Sequence, residues 1–238
     1  HRLVADEEGP GESVRHLLHG VVMRVVHPDG GGVLGGERVG EALAGIDRRS
    51  ATGKRDYAMI LTTARLGLRI SDLRRLELGD LDWRAKQITI VQHKTGRPLS
   101  LPLLDDVGWA IIDYVRDGRP ETVCPKVFVK HRHPFDAFGC ASSVASRLSR
   151  HAARAGIEFG PGQVCGMHSL RGALAVAMIG GGAPMPVVSA VLGHACSDTT
   201  QAYYLRFDIQ RLRGCALDVE DVLERARAVL EEVLLEPG

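Results

Sequence analysis

No apolar stretch in the 238 residues approaches the roughly 20 needed to cross a bilayer as a helix. The first residues also lack a basic segment followed by an apolar signal core. The sequence therefore predicts a protein that stays in the cytoplasm. Cysteine is sparse: Cys124, Cys140, Cys165, Cys196 and Cys215 are odd in number, widely spread and free of any C-x-x-C pair. Neither a disulfide framework nor a zinc site is expected from such a set. Lysine is scarcer still relative to arginine, with only Lys54, Lys86, Lys94, Lys126 and Lys130. Net charge is almost absent at +1, which argues against a polyanion partner unless the cations cluster.

They do cluster. Residues 116–154 carry Arg116, Arg119, Lys126, Lys130, Arg132, Arg147, Arg150 and Arg154 with three histidines, against Asp117, Glu121 and Asp136. The tail from Asp218 onward is acidic. A basic body with an acidic end fits a nucleic-acid face and a separate protein-contact element; a merely solvated charged surface is the other reading. With 45% hydrophobic residues the chain is long enough to bury a core as one domain with appendages.

Glycine punctuates residues 1–36 too often for a core element, so this part reads as a linker or domain remnant. From Glu37 the apolar spacing predicts a short helix through Ile46, a second over Tyr57 to Ala64 ending near Gly67, and a third at Ile70 to Glu77. The period then changes to alternation at Ile88 and Ile90, and again at Leu99, Leu101 and Leu103, around a Lys94-Thr95-Gly96 turn. That predicts a β-hairpin, with a third strand at Val127 to Val129. Helices are expected at 105–116, 139–154, 169–179, 186–192, 198–206 and 218–234. The fold class is mainly α with a small antiparallel β-sheet.

Four segments place polar groups where the pattern would accept apolar ones: Leu66 to Leu73, His93 to Arg97, His168-Ser169-Leu170-Arg171, and Leu192-Gly193-His194 followed nine residues later by Tyr203. Singly, each has an ordinary structural reading. An arginine after Leu-Gly-Leu caps a helix, a lysine in Lys-Thr-Gly is a solvated turn residue, and a tyrosine on an amphipathic helix is core or rim.

In this order and spacing they resemble the tyrosine recombinase family, over roughly Glu37 to Phe207. The resemblance runs through LGLRISDLRRLELGDLDW, ITIVQHKTGRPLSLPL and HSLRGALAVAMIGGGAPMPVVSAVLGHACSDTTQAYY. It implies the tyrosine recombinase catalytic-domain fold over 37–207, with 1–36 as a linker or remnant of an N-terminal core-binding domain and 208–238 as a C-terminal tail. It also implies a catalytic set of Arg69, Lys94, His168, Arg171, His194 and Tyr203, acting on double-stranded DNA. Two guanidiniums suit the charge that gathers on a phosphodiester under attack. Tyr203 would be the nucleophile, His168 its proton acceptor, His194 a hydrogen-bond donor to phosphate, and Lys94 the acid for the departing 5′-oxygen. The covalent 3′-phosphotyrosine keeps the bond energy, so neither a cofactor nor a metal ion is expected.

Gly172 follows Arg171 where the family commonly has histidine, and Gly180-Gly181-Gly182 replaces a more helical ending. Arg65, Arg74 and Arg75 are expected on the DNA backbone, and Arg147, Arg150 and Arg154 along phosphates. Tyr204 adjoins Tyr203, and the spacing from His194 selects Tyr203. Other activities stay open at this point: a type IB topoisomerase, a catalytically silent DNA-binding module, or a phosphatase that uses His and Arg. Apolar residues from Val219 to Val233 recur at helical spacing, so the tail predicts an amphipathic helix that packs on its own domain or on a neighbour in a tetramer on paired sites.

Overall fold

The computed structural model describes residues 36–157 and 166–193. Eight helices lie among the described residues: α1 (Gly36–Ala44), α2 (Ala51–Leu66), α3 (Ile70–Leu73), α4 (Asp105–Asp117), α5 (Ser142–Ala145), α6 (Arg147–Arg154), α7 (Met167–Gly180) and α8 (Met185–Leu192). Three strands, β1 (Leu81–Asp82), β2 (Gln87–Val91) and β3 (Pro98–Pro102), form an antiparallel sheet in the order β1-β2-β3. The expected mainly α fold with a small antiparallel sheet is what the chain adopts. No described helix is long and apolar enough to cross a membrane.

The spine is α2. Ser50 caps its start by accepting the Gly53 amide at 3.1 Å, and Gly67 ends it in the left-handed region at φ 64°. Ala58, Met59 and Ile60 are consecutive and all fully buried, the mark of a helix covered on every side. It packs against α4 and α7, with α1 and α6 also in contact. Thr62 and Thr63 survive burial because their hydroxyls donate to the carbonyls of Ala58 and Met59. In the sheet, Ile88 pairs with Leu101 and Ile90 with Leu99, all facing the core, while Thr89 and Ser100 pair on the open face.

Three expectations from the sequence are corrected. The third strand is Leu81–Asp82, not Val127 to Val129. Val127, Phe128 and Val129 are fully buried, and this segment takes part only in isolated bridges, Glu77 to Lys126 and Val129 to Ala137. An apolar run packed on all sides carries no alternation that tells strand from loop. The helix expected over 139–154 starts only at Ser142 and is broken at Ser146, where ψ is 4°. Ser143 and Ser149 donate their hydroxyls to the carbonyls of Cys140 and Ser146, a local competition with the helix ladder. The helix expected over 70–77 is also shorter, ending at Leu73. Those expected at 198–206 and 218–234 lie outside the described residues.

Towards its start, α2 carries a buried charge cluster. Arg147 Nη1 donates to both Asp56 carboxylate oxygens at 2.7 and 2.8 Å, Arg55 pairs with Asp56 at 2.8 Å, and His151 Nε2 lies 3.1 Å from it. Both arginines also face the Phe138 ring. Burial alone would raise the Asp56 pKa, but the His151 hydrogen bond and the charges of Arg55 and Arg147 outweigh it and hold the carboxyl well below its usual range. Nearby His131, against the Tyr114 ring, is pushed down to about 4 by burial first and then by Arg55 and Arg147, with Asp56 opposing.

Asp56→Asn leaves these cations without their shared counter-charge and should cost about 3–5 kcal/mol. A chemical denaturation curve measures the loss. Because the folded pKa of His131 lies below its unfolded value of 6.5, the unfolded chain takes up a proton that the folded one refuses as pH falls from about 6.5 towards 4. Melting temperature should decline through that window, and His131→Gln should flatten the decline.

Candidate active site

Two helices end on the same device. After α2, Gly67 adopts φ 64°; after α8, Gly193 adopts φ 57°. A helix C-terminus leaves carbonyls without amide partners and carries a partial negative charge. Here arginines take those carbonyls. Arg171, on α7 and only 6% exposed, donates from Nη1 to Gly67 O at 2.5 Å and from Nη2 to Leu192 O. Arg69, two residues past Gly67, donates from Nη2 to Gly193 O at 3.0 Å. Glycine at 67 also permits close approach, since a Cβ there would sit 2.8 Å from Leu192 Cδ2 and 2.9 Å from Leu174 Cδ2.

The structure thus brings Arg69 and Arg171 together. The Arg171 pKa falls to about 10, through burial first and then the neighbouring charge of Arg69, with Asp72 pulling the other way. Asp72 is itself buried at 3% exposure; its Oδ2 lies 4.0 Å from Arg69 Nη1, and its Oδ1 accepts the backbone amide of His93 at 2.8 Å. Each guanidinium has five N–H donors, and the carbonyls engage only part of each fork. Such a pair can grip an oxyanion with two or more charge-assisted hydrogen bonds.

Lys94 stands exposed at the turn between β2 and β3. The base of that turn is tied to the arginine site by the His93–Asp72 bond and by Gln92, whose buried side chain lies against Gly193. His168 is exposed on the first turn of α7, three residues before Arg171. His194 and Tyr203 lie outside the described residues, although Gly193 leads directly into His194. Among the described residues no group of three or more His, Cys, Asp or Glu side chains could hold a metal ion. Sequence reasoning passed over Asp72 and Gln92. The signal for Asp72 was a carboxylate one turn after Arg69; Gln92 offered none.

The arginines expected on DNA divide into two groups. Arg65 pairs with Asp106 at 2.5 Å, Arg74 donates to the carbonyls of Phe138 and Gly139, and Arg147 serves Asp56. These three are held by partners within the fold. Arg75 is exposed beside His93, with Nη2 3.2 Å from the ring Nε2. Arg150 and Arg154 are exposed and, with Lys130 and Arg132, line an open cleft of about 580 Å³ above the Asp56 cluster.

Arg171→Ala leaves two buried helix-end carbonyls without donors and should cost about 3 kcal/mol, whereas Arg69→Ala frees one and should cost about 1 kcal/mol. Urea denaturation of both variants checks the difference. Equal losses would mean that the carbonyls do not hold Arg171.

The sequence model of the phage integrase family matches residues 36–209. The protein y4rA of Sinorhizobium fredii (strain NBRC 101917 / NGR234), named provisionally as an integrase/recombinase, is 42% identical over 184 residues. That alignment covers 77% of this chain and 44% of y4rA, so the chain spans less than half of that relative's length. Among solved structures, the XerA recombinase superposes with a TM-score of 0.61 at 22% identity, covering 74% of this chain and 60% of XerA. The XerH site-specific recombinase, in a post-cleavage complex with palindromic difH substrate, gives 0.62 at 20% identity, covering 77% and 52%. These likenesses show that the fold is that of a tyrosine recombinase catalytic domain. The family match spans most of the sequence and includes the helix ends that hold Arg69 and Arg171: this chain belongs to the phage integrase family.

Proposed function

We propose that the chain is the strand-cleaving domain of a site-specific DNA recombinase, working through a covalent 3′-phosphotyrosine at Tyr203. The observation that carries this reading is the pairing of Arg69 and Arg171 at two helix C-termini, with the Lys94 hairpin tied beside them through the His93 amide on Asp72. The family membership and the DNA-bound XerH relative support it.

In this mechanism the arginine pair holds the non-bridging oxygens of the scissile phosphate and offsets the charge that grows on them. The Tyr203 hydroxyl attacks phosphorus in line and gives its proton to His168. His194 donates a hydrogen bond to a phosphate oxygen. The bond from phosphorus to the 5′-oxygen breaks, and Lys94 protonates that oxygen. Attack by a 5′-hydroxyl on the phosphotyrosine reverses the steps and rejoins the strand, so neither nucleotide nor metal ion enters the balance. Exchange between two duplexes breaks four strands, and one tyrosine per subunit then calls for four subunits, a homotetramer on paired sites. Arg75, Arg150 and Arg154 are the outward cations of the expected set and suit the flanking DNA backbone. Arg65, Arg74 and Arg147 support that surface from inside. Residues 1–36 and 208–238 are assigned as linker and assembly tail, and the compartment is the cytoplasm.

Tyr203→Phe should abolish covalent protein–DNA product on nicked suicide DNA while leaving affinity unchanged, and Tyr204→Phe should retain the product. The reverse pattern would move the nucleophile to Tyr204. Lys94→Ala should slow cleavage by about 10²–10⁴-fold on the natural phosphodiester. On a substrate whose leaving group is a 5′-thiol, which departs without a proton, the loss should be within about tenfold.

A further inference from the structure

Gln92 is 2% exposed, in a fold whose other buried polar side chains mostly have evident partners. Its backbone closes the β2–β3 turn: its amide donates to Arg97 O at 2.9 Å, and its carbonyl accepts the Gly96 amide at 2.8 Å. Its side-chain Oε1 accepts the Thr95 hydroxyl at 2.8 Å, which holds the residue after Lys94. Its Nε2 is buried and has no hydrogen-bond partner among the described residues. The amide lies flat against Gly193: a Cβ built there would sit 2.0 Å from Nε2, 2.6 Å from Cδ and 2.8 Å from Oε1.

Gly193 is the residue whose carbonyl receives Arg69 and whose next neighbour is His194. The residue between Gln92 and Lys94 is His93, whose amide is held by Asp72. Lys94 is therefore flanked on both sides by tethers, while its own side chain stands exposed. A leucine or methionine would fill the same space without burying a donor that no described residue pairs, which disfavours folding by about 1–3 kcal/mol. A buried polar group retained at such a disadvantage calls for a role other than stability.

We propose that Gln92 is a positioning residue: it clips the Lys94 hairpin to the Gly193 turn, so that the acid is placed together with the segment that leads to His194. The clip has two contacts. The Thr95 bond shapes the tip of the hairpin, and the Gly193 contact fixes where that tip stands relative to Arg69. A side chain without an amide keeps the hairpin strands paired but lets the tip swing, which separates proton delivery from phosphate binding. The inference rests on the reading of Lys94 as the general acid.

The test uses the full chain, suicide DNA with a natural 5′-oxygen or a 5′-thiol leaving group, and the variants Gln92→Ala and Gln92→Met, the second nearly isosteric in case the first unfolds. Melting curves identify a folded variant. Cleavage of the oxygen substrate should fall about 10–100-fold. Cleavage of the thiol substrate should stay within about threefold of the parent, and Gln92→Met should add almost nothing to Lys94→Ala. Equal slowing on both substrates, full additivity with Lys94→Ala, or an unchanged rate would overturn the proposal. Failure of the thiol to rescue Lys94→Ala itself would overturn the acid assignment instead. The clip is then decided by Gly193→Ala, which should lose cleavage through its clash and regain part of it when Gln92→Ala is added; simple additivity of that pair would overturn the clip.

Discussion

Two guanidiniums that share a partly buried space repel each other, and the described site depends on what keeps Arg69 and Arg171 there. The answer is the negative end of two helices. Gly67 O, Leu192 O and Gly193 O belong to last turns whose carbonyls have no amide partners within the helix, and each accepts from one of the two arginines. Asp72 adds a full negative charge at the edge of the pair. These acceptors offset a real cost, because burial and the neighbouring charge of Arg69 both disfavour the Arg171 cation and bring its pKa down to about 10. The donors left on the two forks therefore have an orientation fixed beforehand, the arrangement that holding an oxyanion requires.

That arrangement sets demands on the rest of the chain. Gly67 and Gly193 must be left-handed, α2 must run unbroken to deliver Gly67, and α7 must pack close enough to α2 for Arg171 to reach it. The all-round burial of Ala58, Met59 and Ile60 supplies the rigidity of α2. Its opposite end is fixed by Asp56, some 15 Å along the axis from Leu66 at 1.5 Å per residue. One helix thus has a buried carboxylate gathering cations towards its start and a helix-end carbonyl, Gly67 O, holding Arg171 at its end. The difference lies in the acceptors: the Asp56 carboxylate itself takes Arg55, Arg147 and His151, whereas Arg69 and Arg171 donate to main-chain carbonyls with Asp72 only 4.0 Å from Arg69 at the edge.

The parts of the fold governed by periodicity were readable. Ile88, Ile90, Leu99 and Leu101 alternate because one face of the hairpin is buried, and α4 and α8 follow their apolar spacing closely. Arg69, Lys94 and Arg171 were legible only through the resemblance of their segments to the tyrosine recombinase family, since the polar interruptions alone left each with an ordinary structural reading. Val127 to Val129 misled, since a segment buried on every side has no outward face to show a period. Ser146 hid a helix break that depends on which carbonyls nearby hydroxyls capture. Charge was the least legible quantity. Arg147 and Arg150 look alike in a basic run, yet one lies on Asp56 and the other opens to solvent. The partner of Arg147 is 91 residues away, so nothing local distinguishes the two. Gln92 was invisible for the same reason, because its meaning comes from Gly193.

The acceptors that hold the arginine pair are main-chain oxygens, and this changes how the site responds to mutation over evolutionary time. A carboxylate partner can be erased by one codon change; a peptide carbonyl is present whatever residue occupies the position. The hold on Arg171 is insulated from most substitutions at Leu192, and that on Arg69 does not depend on a side chain at 193. Fragility is displaced onto conformation, to the two positions where only glycine turns the carbonyl the right way without strain. Sequences that drift widely on the surface can thus keep the same pair of guanidiniums in place, provided that two residues with no side chain persist.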